Sequence, residues 1–127
     1  MQRKDKYSGG VYLRLSKEDG DVVVGTKSES NSISNQKSLI TEFLKSKPEI
    51  HAVSFYEDDG YSGVNFERPA FQRMMADIKE GKIDCIIVKD LSRFGRNYIE
   101  VGRYLEKLFP ILGVRFIAVN DNYDSLN

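Results

Sequence analysis

The stretch Ile86-Ile87-Val88-Lys89-Asp90-Leu91-Ser92-Arg93-Phe94-Gly95-Arg96-Asn97 decides the reading of this chain. Ile83–Val88 is short and apolar and reads as a buried strand. The charged turn behind it leads into a helix. Arg93 and Arg96, three residues apart, are therefore expected to project toward one side. A guanidinium is always charged and offers a planar fork of donors that fits phosphate oxygens. Cations at a helix start oppose the macrodipole, and a bound anion would relieve that conflict.

Working outward, strand and helix alternate along the chain. Val11–Leu15 alternates apolar and polar residues, as a half-buried strand does. Leu39, Ile40, Phe43 and Leu44 form one stripe of a helix over Ile33–Lys47 that Pro48 ends. Ala52–Tyr56 reads as a second strand, and Glu57–Arg68 as a polar loop. Pro69 opens a further helix with the stripe Phe71, Met74, Met75 and Ile78, and Gly81 stops it. Asn97 with Glu100 resembles an N-cap and its partner three residues on. Ile99, Val101, Leu105, Leu108 and Leu112 give the following helix an apolar face. Gly113 closes that helix, Val114–Val119 is the last strand, and Asn120–Ser125 reads as a loop. The segment Lys17–Ser34 is polar and reads as a long connection, of the kind that is functional or disordered in a compact domain.

This alternation predicts an α/β domain with a mostly parallel sheet of four to five strands flanked by helices. Ligands of such sheets bind beyond the carboxyl ends of the strands. Arg14 and Ser16 lie there after the first strand, Asp58 and Asp59 after the second, and Arg93 and Arg96 after the third. Arg14 and Ser16 are two apart and face the same way on a strand. A hydroxyl among converging arginines suits attack on a phosphodiester.

Composition narrows the alternatives. The chain has 127 residues, room for one domain, and its 19 basic and 19 acidic residues balance. Net charge thus points to no particular partner. The single cysteine, Cys85, falls in a buried strand and reads as core. His51, the sole histidine, reads as a surface connector, which disfavours a histidine base. No Cys/His cluster suggests zinc, no G-x-x-x-x-G-K-[ST] loop suggests a nucleotide, and no long apolar stretch suggests a membrane span. Glu57, Asp58 and Asp59 lie among arginines, which argues against a magnesium site, and Asp58 reads as a turn cap.

Tyr12-Leu13-Arg14-Leu15-Ser16, Asp59-Gly60-Tyr61-Ser62-Gly63 with Arg68-Pro69, and Leu91-Ser92-Arg93-Phe94-Gly95-Arg96 resemble the catalytic domain of the serine recombinases, the resolvase/invertase superfamily. The polar insert between Ser16 and Gln36 is most like that of the large serine recombinases and the transposases of mobile elements. The resemblance implies a three-layer, flavodoxin-like fold. It also implies cutting and rejoining of DNA through a 5′-phosphoserine. By resemblance Ser16 is the nucleophile, while Arg14, Arg68, Arg93 and Arg96 bind the phosphate. Asp59 would orient an arginine, and Gln36 would take the place of a polar active-site glutamine.

The resemblance further implies no cofactor, no metal and no membrane. The expected partners are DNA and, in the full-length protein, further copies forming dimers that pair into tetramers. The expected location is the cytoplasm of a bacterium or of a phage's host. Residues 1–127 are expected to be the catalytic domain of a longer protein, inactive alone. The chain departs from the family at Ser92, where members often carry Asp. Ser92 is also the rival nucleophile. Two readings from other classes compete: a receiver-like phosphate-binding regulatory module built on Asp58, Asp59 and Lys89, and a non-catalytic assembly domain.

Overall fold

The structure, a computed structural model, describes residues 4–15 and 32–127. Ser16 and most of the polar connection up to Ser34 lie outside the described residues. Among the described residues five strands form one sheet: β1 (Tyr7–Leu15), β2 (Ile50–Asp59), β3 (Cys85–Val88), β4 (Arg115–Ala118) and β5 (Tyr123–Asp124). Their order is β2-β1-β3-β4-β5. The pairs β1–β2, β1–β3 and β3–β4 are parallel, and β4–β5 is antiparallel. The helices are α1 (Ile33–Leu44), α2 (Pro69–Lys79), the single turn α3 (Leu91–Phe94), α4 (Tyr98–Arg103) and α5 (Phe109–Leu112). A π-helical turn, Tyr104–Leu108, joins the last two. The α/β architecture expected from the sequence is the one observed.

The two-residue period of the strands sorts the core into two layers. Tyr12, Ile86, Val88, Phe116 and Ala118 face α2 and the α4–α5 helix, whose Met74, Ile78 and Phe109 are buried against them. Val11, Leu13, Cys85, Ile87 and Ile117 face α1 through Ile40, with Leu39, Phe43 and Leu44 packed beside it. The first layer is aromatic at its centre. Phe94 is fully buried, with its ring 5.0–5.8 Å from the rings of Phe66, Phe71, Tyr104, Phe109 and Phe116. Phe94 therefore fixes the arginine-bearing segment to the core from inside.

Three sequence expectations are corrected. β2 runs on through Asp58 and Asp59, because parallel pairing with Arg14 and Leu15 outweighs the poor strand propensity of aspartate. Asn120–Ser125 is not all loop. Asn122 adopts φ 54°, which asparagine tolerates, and turns the chain back as β5 beside β4. The helix after Asn97 is also not uniform. Pro110 has no N–H to give the Glu106 carbonyl, and the π turn lies just ahead of it. The extra residue shifts the phase of the turn that follows, so Phe109 is buried while Leu112 is 39% exposed; Ile99, ahead of the shift, lies on the face opposite Val101 and is 76% exposed.

Arg115 ties the antiparallel edge to the β2 side. Its guanidinium donates to Asp124 Oδ1 at 3.0 Å, Asp124 Oδ2 at 2.6 Å and Glu49 Oε2 at 3.1 Å. Burial disfavours its charge, but the two carboxylates more than offset that and hold its pKa above the usual value. Burial also opposes ionisation of Asp124, yet the bonds from Arg115 and the Leu126 N–H outweigh it and hold the carboxyl low. Glu49 is held low by its own main-chain N–H, then by Arg115. Groups depressed in the folded state stabilise it above their unfolded pKa, and that stability is lost as pH falls through the folded values. The urea midpoint is accordingly expected to drop as pH falls below about 4, the ordinary carboxylate range. The drop should be shallower in Asp124→Asn; an equally steep drop in that variant would remove Asp124 from the explanation.

Among the described residues no helix is long and apolar enough to cross a membrane.

Candidate functional site

The sheet grows outward in two directions from the neighbours β1 and β3, and the crevice beyond their carboxyl ends is the expected ligand position. β1 pairs with β3 only from Gly9 to Val11 and continues four residues past that pairing, to Leu15. The main chain beyond Val11 on that side needs other partners. Side chains supply them at Arg14. Gln36 Oε1 accepts from the Arg14 N–H at 3.2 Å, and Gln36 Nε2 donates to the Arg14 carbonyl at 2.9 Å. Arg93 Nη1 donates to the same carbonyl at 3.0 Å. Gln36 is fully buried and replaces the missing strand with a side-chain amide.

The Arg14 guanidinium is itself buried and joins the loop after β2 to α3. Nε donates to the Arg93 carbonyl at 3.0 Å, Nη1 to the Tyr61 carbonyl at 2.9 Å, and Nη2 to the Ser92 carbonyl. Burial, then the neighbouring Arg93 and Arg68, pull its pKa down to about 10. Gly63 presses on it: a Cβ there would lie 2.6 Å from Arg14 Nη2 and 2.9 Å from Arg96 Cγ. The absence of a side chain at residue 63 is what lets the loop after β2 close over the guanidinium.

Arg68 forms a second buried hub. It donates to the Asn65 carbonyl at 2.9 Å, to Tyr12 Oη at 2.8 Å and to the Phe94 carbonyl at 2.7 Å. Its guanidinium carbon lies 4.6 Å from the Phe66 ring centroid. Tyr12 Oη in turn donates to Asp58 Oδ2 at 2.8 Å. Asp58 also accepts from the N–H groups of Ala70 and Phe71, at 2.9 and 3.0 Å, and so caps α2 from the neighbouring strand. Burial raises the Tyr12 pKa well above the usual tyrosine value, with Arg68 pulling the other way.

The structure thus brings Arg14, Arg68, Arg93 and Gln36 together. It separates Arg96 and Asp59 from them in exposure. Arg93 and Arg96 do not share a helical face as expected. α3 ends at Phe94, Gly95 is fully extended, and Arg93 is 3% exposed while Arg96 lies on the surface. Gly95 is needed there, since a Cβ would lie 2.7 Å from Phe66 Cζ. The Arg96 N–H donates to the Gly63 carbonyl at 2.6 Å, which joins the two loops beside the site. Asp59 faces solvent, and the carboxylate that reaches an arginine hub is that of Asp58, through Tyr12. The sequence reading left Tyr12 and Asp58 out of the site. For Tyr12 the available signal was spacing, two before Arg14 on one face of β1; the pairing of Asp58 with Arg14 across the sheet has no signal in the local sequence. Ser16 lies outside the described residues. Among the described residues no group of three His, Cys, Asp or Glu side chains could hold a metal ion.

A family model described as "Resolvase, N terminal domain" matches residues 10–127. The N-terminal catalytic domain of TP901-1 integrase is similar at 25% identity and a TM-score of 0.80, over 94% of this chain and 82% of that one. A resolvase family site-specific recombinase from Streptococcus pneumoniae is 34% identical at a TM-score of 0.74, over 96% of this chain and 78% of that one. The C-terminal catalytic domain of ISC1926 TnpA, an IS607-like serine recombinase, shares the fold at 22% identity and a TM-score of 0.68, over 88% of this chain and 69% of that one. No curated protein matches the chain. The mostly parallel sheet is that of the resolvase-type recombinases, and the chain belongs to the resolvase family of serine recombinases. It is a domain of the kind used in site-specific recombination.

Proposed function

We propose that this domain cuts and rejoins DNA with Ser16 as nucleophile. The observation that carries the reading is the clamp on Arg14. Gln36 and Arg93 fix the main chain of that residue, two before Ser16, while Arg96 lies on the surface beside it. Ser16 Oγ forms a bond to the scissile phosphorus as the bond to O3′ breaks, leaving a 5′-phosphoserine. In net terms the proton lost by the serine is the one gained by the 3′ oxygen. The covalent link retains the phosphodiester energy, so rejoining needs no nucleotide cofactor. Developing charge is met by guanidiniums, as phosphoryl transfer requires positioning and electrostatic stabilisation above all.

In this reading Arg96 faces the phosphate most directly, and Arg93 stands behind it on the Arg14 carbonyl. Arg14 and Arg68, held by carbonyls and Tyr12, shape the loops that carry them. Gln36 positions the strand end, and Asp59 stands at the rim. Residues 1–127 act as the catalytic domain of a longer cytoplasmic protein that pairs on DNA as dimers and tetramers. The test uses that full protein with DNA from its element's ends, stopped with denaturant. Protein attached to 5′ ends is expected, with the adduct mapping to Ser16 and absent from Ser16→Ala. An adduct on Ser92, or one that survives Ser16→Ala, would overturn the assignment.

A further inference from the structure

We infer that Asp90, acting partly through Ser92, is a positioning residue for Arg93. The inference rests on the reading of the site given above. Asp90 is the N-cap of α3, and its Oδ1 accepts from the Arg93 N–H at 3.1 Å. The same oxygen accepts from Ser92 Oγ at 2.6 Å and lies 3.6 Å from Arg93 Nε. Ser92 Oγ in turn accepts from Arg93 Nη2 at 3.4 Å. One carboxylate therefore reaches Arg93 through its main chain, its guanidinium and a bridging hydroxyl.

The surroundings give that carboxylate a purpose beyond capping. Arg14, Arg68 and Arg93 are all buried in this quarter of the molecule, at 0%, 1% and 3% exposure. Clustered cations repel, and the neighbours' effect on Arg14 shows that they do so here. Asp58 meets this charge on the Arg68 side through Tyr12, and Asp90 meets it on the Arg93 side. A single helical turn brings residue 90 under residue 93, so a carboxylate two positions before Ser92 can serve the guanidinium next to Ser92. Arg93 is then held on the Arg14 carbonyl, at the strand end that leads to Ser16.

Asp90→Asn separates the charge from the cap. Asparagine is as good an N-cap as aspartate and keeps an oxygen for Ser92 and for the Arg93 N–H. In the full protein, adduct formation at saturating DNA is expected to slow about tenfold, because Arg93 loses the carboxylate that holds its guanidinium in place. DNA affinity should be unchanged, and the melting temperature should fall by only a few degrees, leaving the protein folded at the assay temperature. Adding Ser92→Asp to Asp90→Asn returns a carboxylate beside Arg93 and should restore most of the rate. Wild-type cleavage by Asp90→Asn would overturn the inference. So would a slow variant that Ser92→Asp leaves slow, or a rate loss that comes from unfolding at the assay temperature. Cleavage by a parallel Ser16→Ala control would instead sink the reading of the site itself.

Discussion

Arg14→Ala is expected to melt far below the wild type, before any question of catalysis arises. A residue whose sole task is to grip phosphate could be truncated with little effect on folding. Arg14 has a second task. Its guanidinium is the donor for the carbonyls of Tyr61, in the loop after β2, and of Ser92 and Arg93, in α3. Truncation leaves those acceptors in a closed, water-poor corner, at about 1–3 kcal/mol for each buried group left unpaired. The sum is several kcal/mol, against a typical total stability of about 5–15 kcal/mol. For a chain of this size that corresponds to a drop of roughly 10–20 °C, at about 4 °C per kcal/mol. Arg14→Lys should fall nearly as far, because an ammonium cannot span three carbonyls arranged around a planar fork. Thermal unfolding followed by circular dichroism decides the matter. A melting temperature within a few degrees of wild type would mean that the loops close without Arg14.

The same residue shows how far the sequence could be read. Strand β1 followed from alternation, and Arg14 at its end followed from the strand's direction. That placed an arginine at the crevice without saying which way its charge was used. The distinction depends on β3 being shorter than β1, so that the main chain of Arg14 lacks a ladder partner on the β3 side and Gln36 supplies one. Nothing local to residue 14 encodes this. The Arg93/Arg96 pair misled for a related reason. Helical spacing predicts a shared face only if the helix continues, and Gly95 interrupts it to make room for Phe66. The phase error along the helix after Asn97 has a local cause, Pro110, but the resulting π turn shifts which residues are buried rather than whether a helix forms. Asp58 reads as a turn cap from the sequence because it falls in the polar stretch Glu57–Arg68. Pairing with Arg14 carried β2 past it, and its carboxylate caps α2 instead. Elements followed from local pattern; partners across the sheet did not.

Arg96→Lys is expected to do the reverse of Arg14→Ala: leave folding alone and remove cleavage. Arg14 and Arg68 bind main-chain carbonyls inside the domain, and Arg93 binds the Arg14 carbonyl with 3% of its surface exposed. Arg96 is on the surface, with its backbone anchored to the Gly63 carbonyl and Gly95 behind it buried against Phe66. Its Cα is thus held by the core while its side chain lies at the mouth of the crevice. The substitution leaves that backbone anchor untouched, so stability should change by no more than about 1 kcal/mol. Lysine keeps the charge, so long-range attraction to DNA and overall affinity should survive. It loses the fork that can hold two phosphate oxygens while negative charge builds on them. Removing one preorganised donor of this kind costs on the order of 100-fold or more in rate. Adduct formation at saturating DNA should therefore fall at least that far in Arg96→Lys, with melting temperature and DNA affinity near wild type. If Arg96→Lys cleaved normally, positive charge alone would suffice at this position, and the bidentate role would pass to Arg93, whose guanidinium would have to leave the Arg14 carbonyl to take it.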